Sequence, residues 1–197
     1  MWVVAGLWVG AAALAQTPED PLVKQGWRPV LAAGLTTGGD VLAQAQYSNG
    51  RTGTLVAGGQ IHLYAGLRRQ FGSWVVQSNV GYQFDGDSQP NGNESVNFGR
   101  FPLELLTQYQ TNEVIWVGVG LRKVTEAHVT SRGAVQFSGD VSSGVTLTAD
   151  PGVFVEGDYA LTPTSNLSVR LVRETYQGPR GTRFRGDHLG VFVKGIF

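Results

Sequence analysis

The chain of 197 residues contains no cysteine. Disulfide bonds and thiol chemistry are therefore excluded, and structural zinc sites are disfavoured because they depend largely on cysteine ligands. An excess of one charge sign is also lacking, since 15 basic residues balance 15 acidic ones. A nucleic-acid partner would require a basic surface. We therefore predict no nucleic-acid binding, no cofactor and no metal site.

Long apolar runs are confined to the N-terminus, where the residues from Trp2 to Ala15 are apolar or small. This run is shorter than the roughly 20 residues that a transmembrane helix needs. It ends in Ala13-Leu14-Ala15, the small-x-small pattern that precedes a signal-peptidase cleavage site. We interpret residues 1–15 as a secretory signal peptide, 16–26 as a short periplasmic segment and 27–197 as the folded domain. The alternative is a buried N-terminal helix.

Helical periodicity is scarce after residue 26, whereas alternation with a period of two is common and favours β-strands. In one example Val117, Val119 and Leu121 alternate with Gly118 and Gly120. Glycine, with 28 residues, is scattered through these apolar segments, which is typical of β proteins with many turns and close backbone contacts. The pattern predicts strands at about 29–47, 52–71, 74–85, 96–110, 114–129, 144–161, 166–177 and 187–197.

The predicted connections alternate between short and long. The short ones are 72–73, 111–113 and 162–165, and the longer, polar ones are 48–51, 86–95, 130–143 and 178–186. All long loops would then lie at one end of the sheet and all short turns at the other. This arrangement is typical of an outer-membrane barrel. The predicted fold is all-β, an eight-stranded antiparallel up-and-down transmembrane β-barrel with its short turns in the periplasm.

A soluble barrel of the lipocalin type would show the same alternation, so the position of the charges has to distinguish the two. One face of the strands is apolar, and the other carries charges of both signs. These charges are Arg68, Glu104, Arg122, Glu156, Asp158, Arg170 and Lys194. A soluble barrel would have to bury them or expose a continuous apolar belt. In a membrane barrel they fill a polar lumen, as a structural plug, a gated conduit or an acid/base pair.

Three stretches carry a family resemblance: "GGQIHLYAGLRRQF" at 58–71, "FGRFPLELLTQYQTNEVIWVGVGLRK" at 98–123, and the terminal strand ending in Phe197. From about Trp27 to its end the chain resembles the small OmpW/OmpX-like outer-membrane β-barrel proteins of Gram-negative bacteria. The resemblance implies an outer-membrane location, contact with outer-membrane lipids and lipopolysaccharide, and a monomer. It also implies that the barrel assembly machinery recognises Val191, Val193 and Phe197 as its assembly signal.

Several other positions are candidates for function or anchoring. Arg180, Arg183 and Arg185 form a basic loop that could contact lipopolysaccharide phosphates, because arginine binds phosphate through two parallel hydrogen bonds. An interfacial girdle is predicted for Trp74, Tyr109, Tyr159 and Phe197. His128 or His188, together with Ser131, could imitate the catalytic pair of a lipid A deacylase, although no local motif supports this. Pro102 predicts either a bulge or a strand start.

Three functions remain open from the sequence. The first is a non-enzymatic envelope protein with a charge-plugged lumen and working surface loops. The second is an OmpW-like passage for small hydrophobic molecules. The third is a lipid A-modifying enzyme.

Overall fold

The computed structural model describes residues 26–89, 93–138 and 141–197. The predicted signal peptide, 1–15, and nearly all of the predicted periplasmic segment, 16–26, lie outside these residues. Within the described ranges, no helix has the length and apolar character needed to cross a membrane.

The central feature is a closed barrel of eight strands, each paired antiparallel with both neighbours. In chain order the strands of the described residues are β1 (Trp27–Gly38), β2 (Val41–Gln46), β3 (Thr52–Val56), β4 (Gln60–Phe71), β5 (Trp74–Ser88), β6 (Ser95–Gln110), β7 (Ile115–Arg132), β8 (Gln136–Ser138), β9 (Thr148–Ala149), β10 (Gly152–Thr162), β11 (Ser165–Arg173), β12 (Thr175–Gln177), β13 (Arg183–Arg185) and β14 (His188–Ile196). Around the barrel the order is β1-β14-β11-β10-β7-β6-β5-β4. The predicted eight-stranded antiparallel barrel is confirmed.

Turn lengths give the barrel two different ends. Short connections join β4 to β5, β6 to β7 and β10 to β11, and they share one end with both termini of the barrel domain. The other end carries the long connections, which contain β2, β3, β8, β9, β12 and β13. In outer-membrane β-barrels the short turns face the periplasm, so the long connections form the extracellular end.

Several predicted strands are too long. The sequence pattern predicts single strands at 29–47 and 52–71, but the first leaves the barrel after Gly38 and the second joins it only at Gln60. Gly38 and Gly39 have φ values of 129° and 82°, which redirect the chain. The predicted strands 144–161 and 166–177 also merge barrel strands with short outer ones. The first long connection is therefore 39–59, and not the predicted 48–51.

The extracellular segments form a cap over the barrel. β2 pairs with β3 and β8 in one small sheet, and β12 pairs with β9 and β13 in another. Buried apolar residues from both sheets and from the upper barrel strands make one cluster. Its members include Leu42, Tyr47, Leu55, Val96, Phe98, Val129, Val141, Leu147, Tyr176 and Phe184. The alternation predicted for these strands therefore continues above the bilayer, where it encloses a core of the kind found in soluble proteins.

Below the cap, successive barrel side chains point alternately outward and inward, as strand geometry requires. The outward side chains are apolar and exposed, with Val119 64% and Leu121 62% exposed. The inward positions hold charged, polar and aromatic side chains separated by glycines. A Cβ added at Gly34 would lie 2.3 Å from Phe192 Cδ1, and one at Gly120 would lie 2.2 Å from Phe154 Cζ. Because these two glycines have no side chain, the aromatic rings of Phe192 and Phe154 fit beside them in the lumen.

Pro102 lies within β6, where the pairing with β7 changes register. Arg100 pairs with Ala127 and Pro102 with Val124, so the single residue Phe101 faces two residues of β7. This is a β-bulge whose extra residue belongs to β7. The predicted bulge is confirmed, and the alternative, a strand beginning after Pro102, is wrong.

Candidate functional site

The lumen is crossed by a chain of buried ion pairs that begins on the last strand. Lys194 Nζ donates to Asp158 Oδ2 at 2.7 Å and to Glu156 Oε1 at 2.8 Å. Glu156 Oε2 accepts a bond from Arg170 Nε at 2.7 Å. All four side chains are buried. β14, β10 and β11 are thus connected through side chains as well as through their backbone ladders.

The chain of ion pairs continues through Glu104 toward the extracellular end. Arg170 Nη1 donates to both oxygens of Glu104, and Arg122 Nη1 donates to Glu104 Oε1 at 3.0 Å. Arg122 Nε then donates to Glu174 Oε2 at 2.9 Å. Tyr176, in β12 above the membrane-spanning strands, donates its hydroxyl proton to Glu174 Oε1 at 2.8 Å. Burial raises the pKa of the Tyr176 phenol, which therefore remains a donor at neutral pH.

Arg100 adds a further cation to this region. Its Nη2 donates to Gly59 O at 2.6 Å and its Nη1 to Tyr176 Oη at 3.3 Å, while its guanidinium lies 4.8 Å from the ring centroid of Phe98. The connected set therefore has four carboxylates and four cations. They are Glu104, Glu156, Asp158, Glu174, Arg100, Arg122, Arg170 and Lys194. Buried charges need partners, and this set balances its own; we call it the lumen network.

Six of the seven lumen charges predicted from the sequence lie in this network. Arg68 is the exception, because it makes no hydrogen bond or ion pair with any described residue and lies near the periplasmic end. Sequence reasoning missed Arg100 and Glu174. A signal was available for both, since Arg100 shares the alternation of Glu104, and Glu174 lies four residues after Arg170 in a predicted strand.

Aromatic side chains fill the lumen beside the network. At the extracellular end lie Phe98 and Tyr176 of the cap core, whose ring centroids are 5.6 Å apart. Near the extracellular end of β4, His62 packs against Tyr64 and Phe192 with centroid distances of 5.7 and 5.4 Å. Aromatic rings and paired charges therefore share the interior.

The predicted girdle and assembly residues are on the outer surface. Trp74 and Tyr109, with ring centroids 5.1 Å apart, and Tyr159 are exposed near the short-turn end. Val191, Val193 and Phe197 point outward from the last strand and the residue that follows it. Phe197 also donates its backbone N–H to Pro29 O at 3.0 Å, so the terminal residue extends the pairing of β14 with β1.

The other candidate residues, those of the basic loop and of the possible His–Ser pairs, do not come together in one site. Arg183 and Arg185 are exposed on one face of β13, with Phe184 buried between them in the cap core. Arg185 Nε lies 3.7 Å from Asp40 Oδ1; the side chain of Arg180 lies outside the described residues. His128 Nδ1 lies 2.9 Å from Thr146 Oγ1, and alternation along β7 points Ser131 to the opposite face. His188 is buried and lies 2.6 Å from Gly186 O. The predicted His–Ser pairs are therefore not formed.

A closed barrel with a charged interior and an apolar belt satisfies every requirement of a membrane-spanning β protein: no free edge, polar groups inside and apolar groups toward lipid. A soluble lipocalin-type barrel would have the opposite arrangement. The architecture is that of an outer-membrane β-barrel.

No protein-family model matches the chain, and no curated protein matches it in sequence. Solved structures with a similar fold include Neisserial surface protein A, at 15% identity over 87% of this chain and 97% of that one, with a TM-score of 0.49. Another is the attachment invasion locus protein Ail of Yersinia pestis bound to the heparin analogue sucrose octasulfate, at 10% identity, 87% and 97% coverage and a TM-score of 0.47. A third is the outer membrane protein AlkL in lipid bilayers, at 15% identity, 92% and 95% coverage and a TM-score of 0.40.

Proposed function

We propose that this chain is a non-enzymatic outer-membrane barrel with a closed lumen, and that its extracellular cap acts in envelope integrity or surface contact. The lumen network is the observation that carries the proposal. Eight strands leave a lumen just wide enough for side chains to fill. Here the filling side chains are charged and paired across strands that lie far apart in the sequence.

A conduit through this lumen would have to break several buried ion pairs at once. Separating one partner of a buried pair costs about 3–5 kcal/mol, and Arg170 alone bonds two carboxylates, Glu104 and Glu156. The cap core adds an apolar layer above the network. These two layers favour a closed barrel over an OmpW-like passage, in which the same charges would re-pair to open a path.

The cap is the part of the chain that meets the cell exterior. Its core is built like that of a soluble domain, with Leu55 and Ala45 fully buried. Such a core holds the outer faces of its two small sheets in fixed positions, which suits a surface that binds or shields. We assign the working surface of the protein to these outer faces.

Contact with lipopolysaccharide is part of this proposal. Arg183 is exposed next to Arg185, and among the described residues Arg185 forms an ion pair with Asp40 at 3.7 Å. Changing Arg180, Arg183 and Arg185 to serine should weaken binding of purified lipopolysaccharide to the refolded protein. Unchanged binding would remove the loop from the proposal.

Single-channel recording of the refolded protein in planar bilayers tests the closed lumen. We expect no conductance steps, with a general porin in the same membrane as positive control. Regular steps in the wild-type protein would refute the plug and favour the passage. A second experiment addresses catalysis: the lipid A mass spectrum should be the same in cells with and without the protein, and a modified lipid A species that depends on it would establish an enzyme.

The envelope role is tested in the same strains. Cells without the protein should become more sensitive to bulky hydrophobic antibiotics or lose adhesion to a surface, and the wild-type gene should restore them. Restoration by a gene whose cap sheets are replaced with short turns would refute the role of the cap.

A further inference from the structure

The periplasmic end of the barrel contains a cavity of about 490 Å³ below the lumen network. Its wall combines Arg68, Trp116 and Asn166 with apolar side chains such as Ile196. Exposed residues of the short turns, Glu113 among them, form its rim. The cavity is therefore reachable from the periplasm and closed toward the network.

Arg68 lines this cavity and is only 5% exposed. Its Nη1 has no hydrogen-bond partner, and no described residue forms an ion pair with it. The guanidinium carbon lies 5.5 Å from the ring centroid of Trp116. Burying a cation costs free energy unless an anion and hydrogen-bond acceptors compensate for the lost hydration. Every other lumen cation described above has hydrogen-bond partners, so Arg68 stands out.

Trp116 supplies a second unsatisfied donor at the same place. It is 9% exposed, and its indole Nε1 has no hydrogen-bond partner. Buried indole N–H groups normally find an acceptor. Two adjacent buried donors line this cavity without an acceptor among the described residues, so both are available to donate to an anion.

The wall indicates which anion fits. Arg28 also lines the wall, but its guanidinium donates to Ile196 O and Phe197 O at 3.3 Å. The buried, unpaired charge of Arg68 matches a monoanion, and a guanidinium binds a planar carboxylate through two parallel bonds. Val114, Leu161 and Ile196 provide apolar surface beside it. Asp158 pairs with Trp116 across the ladder and attracts Arg68, but it forms no ion pair with Arg68. Its Oδ2 is bound by Lys194 Nζ at 2.7 Å, whereas its Oδ1 has no hydrogen-bond partner among the described residues. Because the four carboxylates of the lumen network are already matched by its four cations, the charge of Arg68 is additional.

We propose that this cavity is a periplasm-facing binding site for a monocarboxylate attached to an apolar group, with Arg68 as the anion-binding residue and Trp116 as the surface on which the guanidinium lies. This site goes beyond the proposed surface role and does not depend on it. It requires only that the barrel be folded.

Benzoate is the probe, and the reporter is the indole ¹⁵N–¹H resonance of Trp116 in the full-length refolded protein. Benzoate should shift this resonance in a saturable manner at millimolar concentrations. Trp27 and Trp74, on the outer surface, serve as internal references. Benzyl alcohol, which has the same ring without the charge, should produce no saturable shift. Equal shifts from both compounds would overturn an anion site.

Arg68→Gln should weaken benzoate binding about tenfold or more. The substitution removes an unpaired buried charge, so folding should be retained, as checked by the slower gel mobility of the heated protein. Arg173→Gln, at the extracellular end of β11, is the matched control and should bind like wild type. Glu113→Gln should tighten binding, because it removes a competing carboxylate at the rim. Unchanged binding in Arg68→Gln, or no shift in the wild type, would overturn the proposal.

Discussion

Arg170 Nη1 lies 2.8 Å from one oxygen of Glu104 and 2.9 Å from the other, although the two residues are 66 positions apart in the chain. Glu104 also accepts a bond from Arg122. One carboxylate from β6 therefore holds two guanidinium groups, from β7 and β11, in the middle of the barrel. Removing its charge should disturb both arginines together.

Glu104→Gln should lower the free energy of unfolding by about 3–5 kcal/mol, because it leaves two buried guanidinium groups short of an anion. Urea unfolding of the refolded protein in lipid vesicles, followed by tryptophan fluorescence, measures this change. Glu126→Gln is the matched control, since that side chain is 62% exposed and lies 3.6 Å from His128. The control should change stability by no more than about 0.5 kcal/mol. Equal effects of the two substitutions would contradict the pairing.

A lysine on the lipid-facing side of the last strand should be strongly destabilising. Val191 is 46% exposed and pairs with Leu35 and Val169, so it lies within the apolar belt. Val191→Lys should cost about 2–4 kcal/mol, the cost of a lysine near the bilayer midplane. Thr164→Lys, in an exposed periplasmic turn, should cost little. The same unfolding experiment compares them, and a small cost at Val191 would contradict its contact with lipid.

The terminal residue provides a test of assembly. Phe197→Ser should reduce the amount of protein in the outer membrane, because it removes an exposed aromatic group from the predicted assembly signal. Phe71→Ser removes another exposed aromatic side chain at the same end of the barrel and serves as the control. Quantifying the protein in separated outer membranes gives the result. A reduction of the same size in both variants would assign the effect to the interfacial girdle and not to the signal.

The cap should unfold without the barrel. Leu55→Ala removes a fully buried side chain from the cap core and should cost about 2–5 kcal/mol of local stability. Amide hydrogen exchange should then accelerate in β2, β3 and β8 while the barrel strands remain protected. Val41→Ala, at a position 49% exposed on β2, should leave exchange nearly unchanged. Acceleration throughout the barrel would show that cap and barrel unfold together.

The barrel could be predicted because alternation is a local property. The run from Ile115 to Arg122 shows which residues face lipid without reference to any other strand. The charges opposite the apolar face then indicated a polar lumen. The breaks after Gly38 and before Gln60 could not be found in this way, because buried and exposed residues also alternate in the cap strands β2 and β3, apart from the adjacent buried pair Leu42 and Ala43.

The sequence indicates which charged residues face the lumen, but it does not indicate which of them form ion pairs with each other. Alternation placed Glu104 and Arg170 inside the barrel, but which charges meet depends on the register of strands distant in sequence. Arg68 demonstrates the limit. Alternation predicts its inward position, but the arrangement of the other strands is needed to see that no described carboxylate forms an ion pair with it.

Lys194 belongs to the last strand, whereas the carboxylates that it binds belong to β10. Before β14 is in place, the lumen network holds four carboxylates and only three cations, and this open sheet would have to keep water against its inner face. Water can leave the interior without an unpaired buried carboxylate only when β14 has brought Lys194 into place. Dehydration of the lumen is thus tied to closure of the seam between β1 and β14.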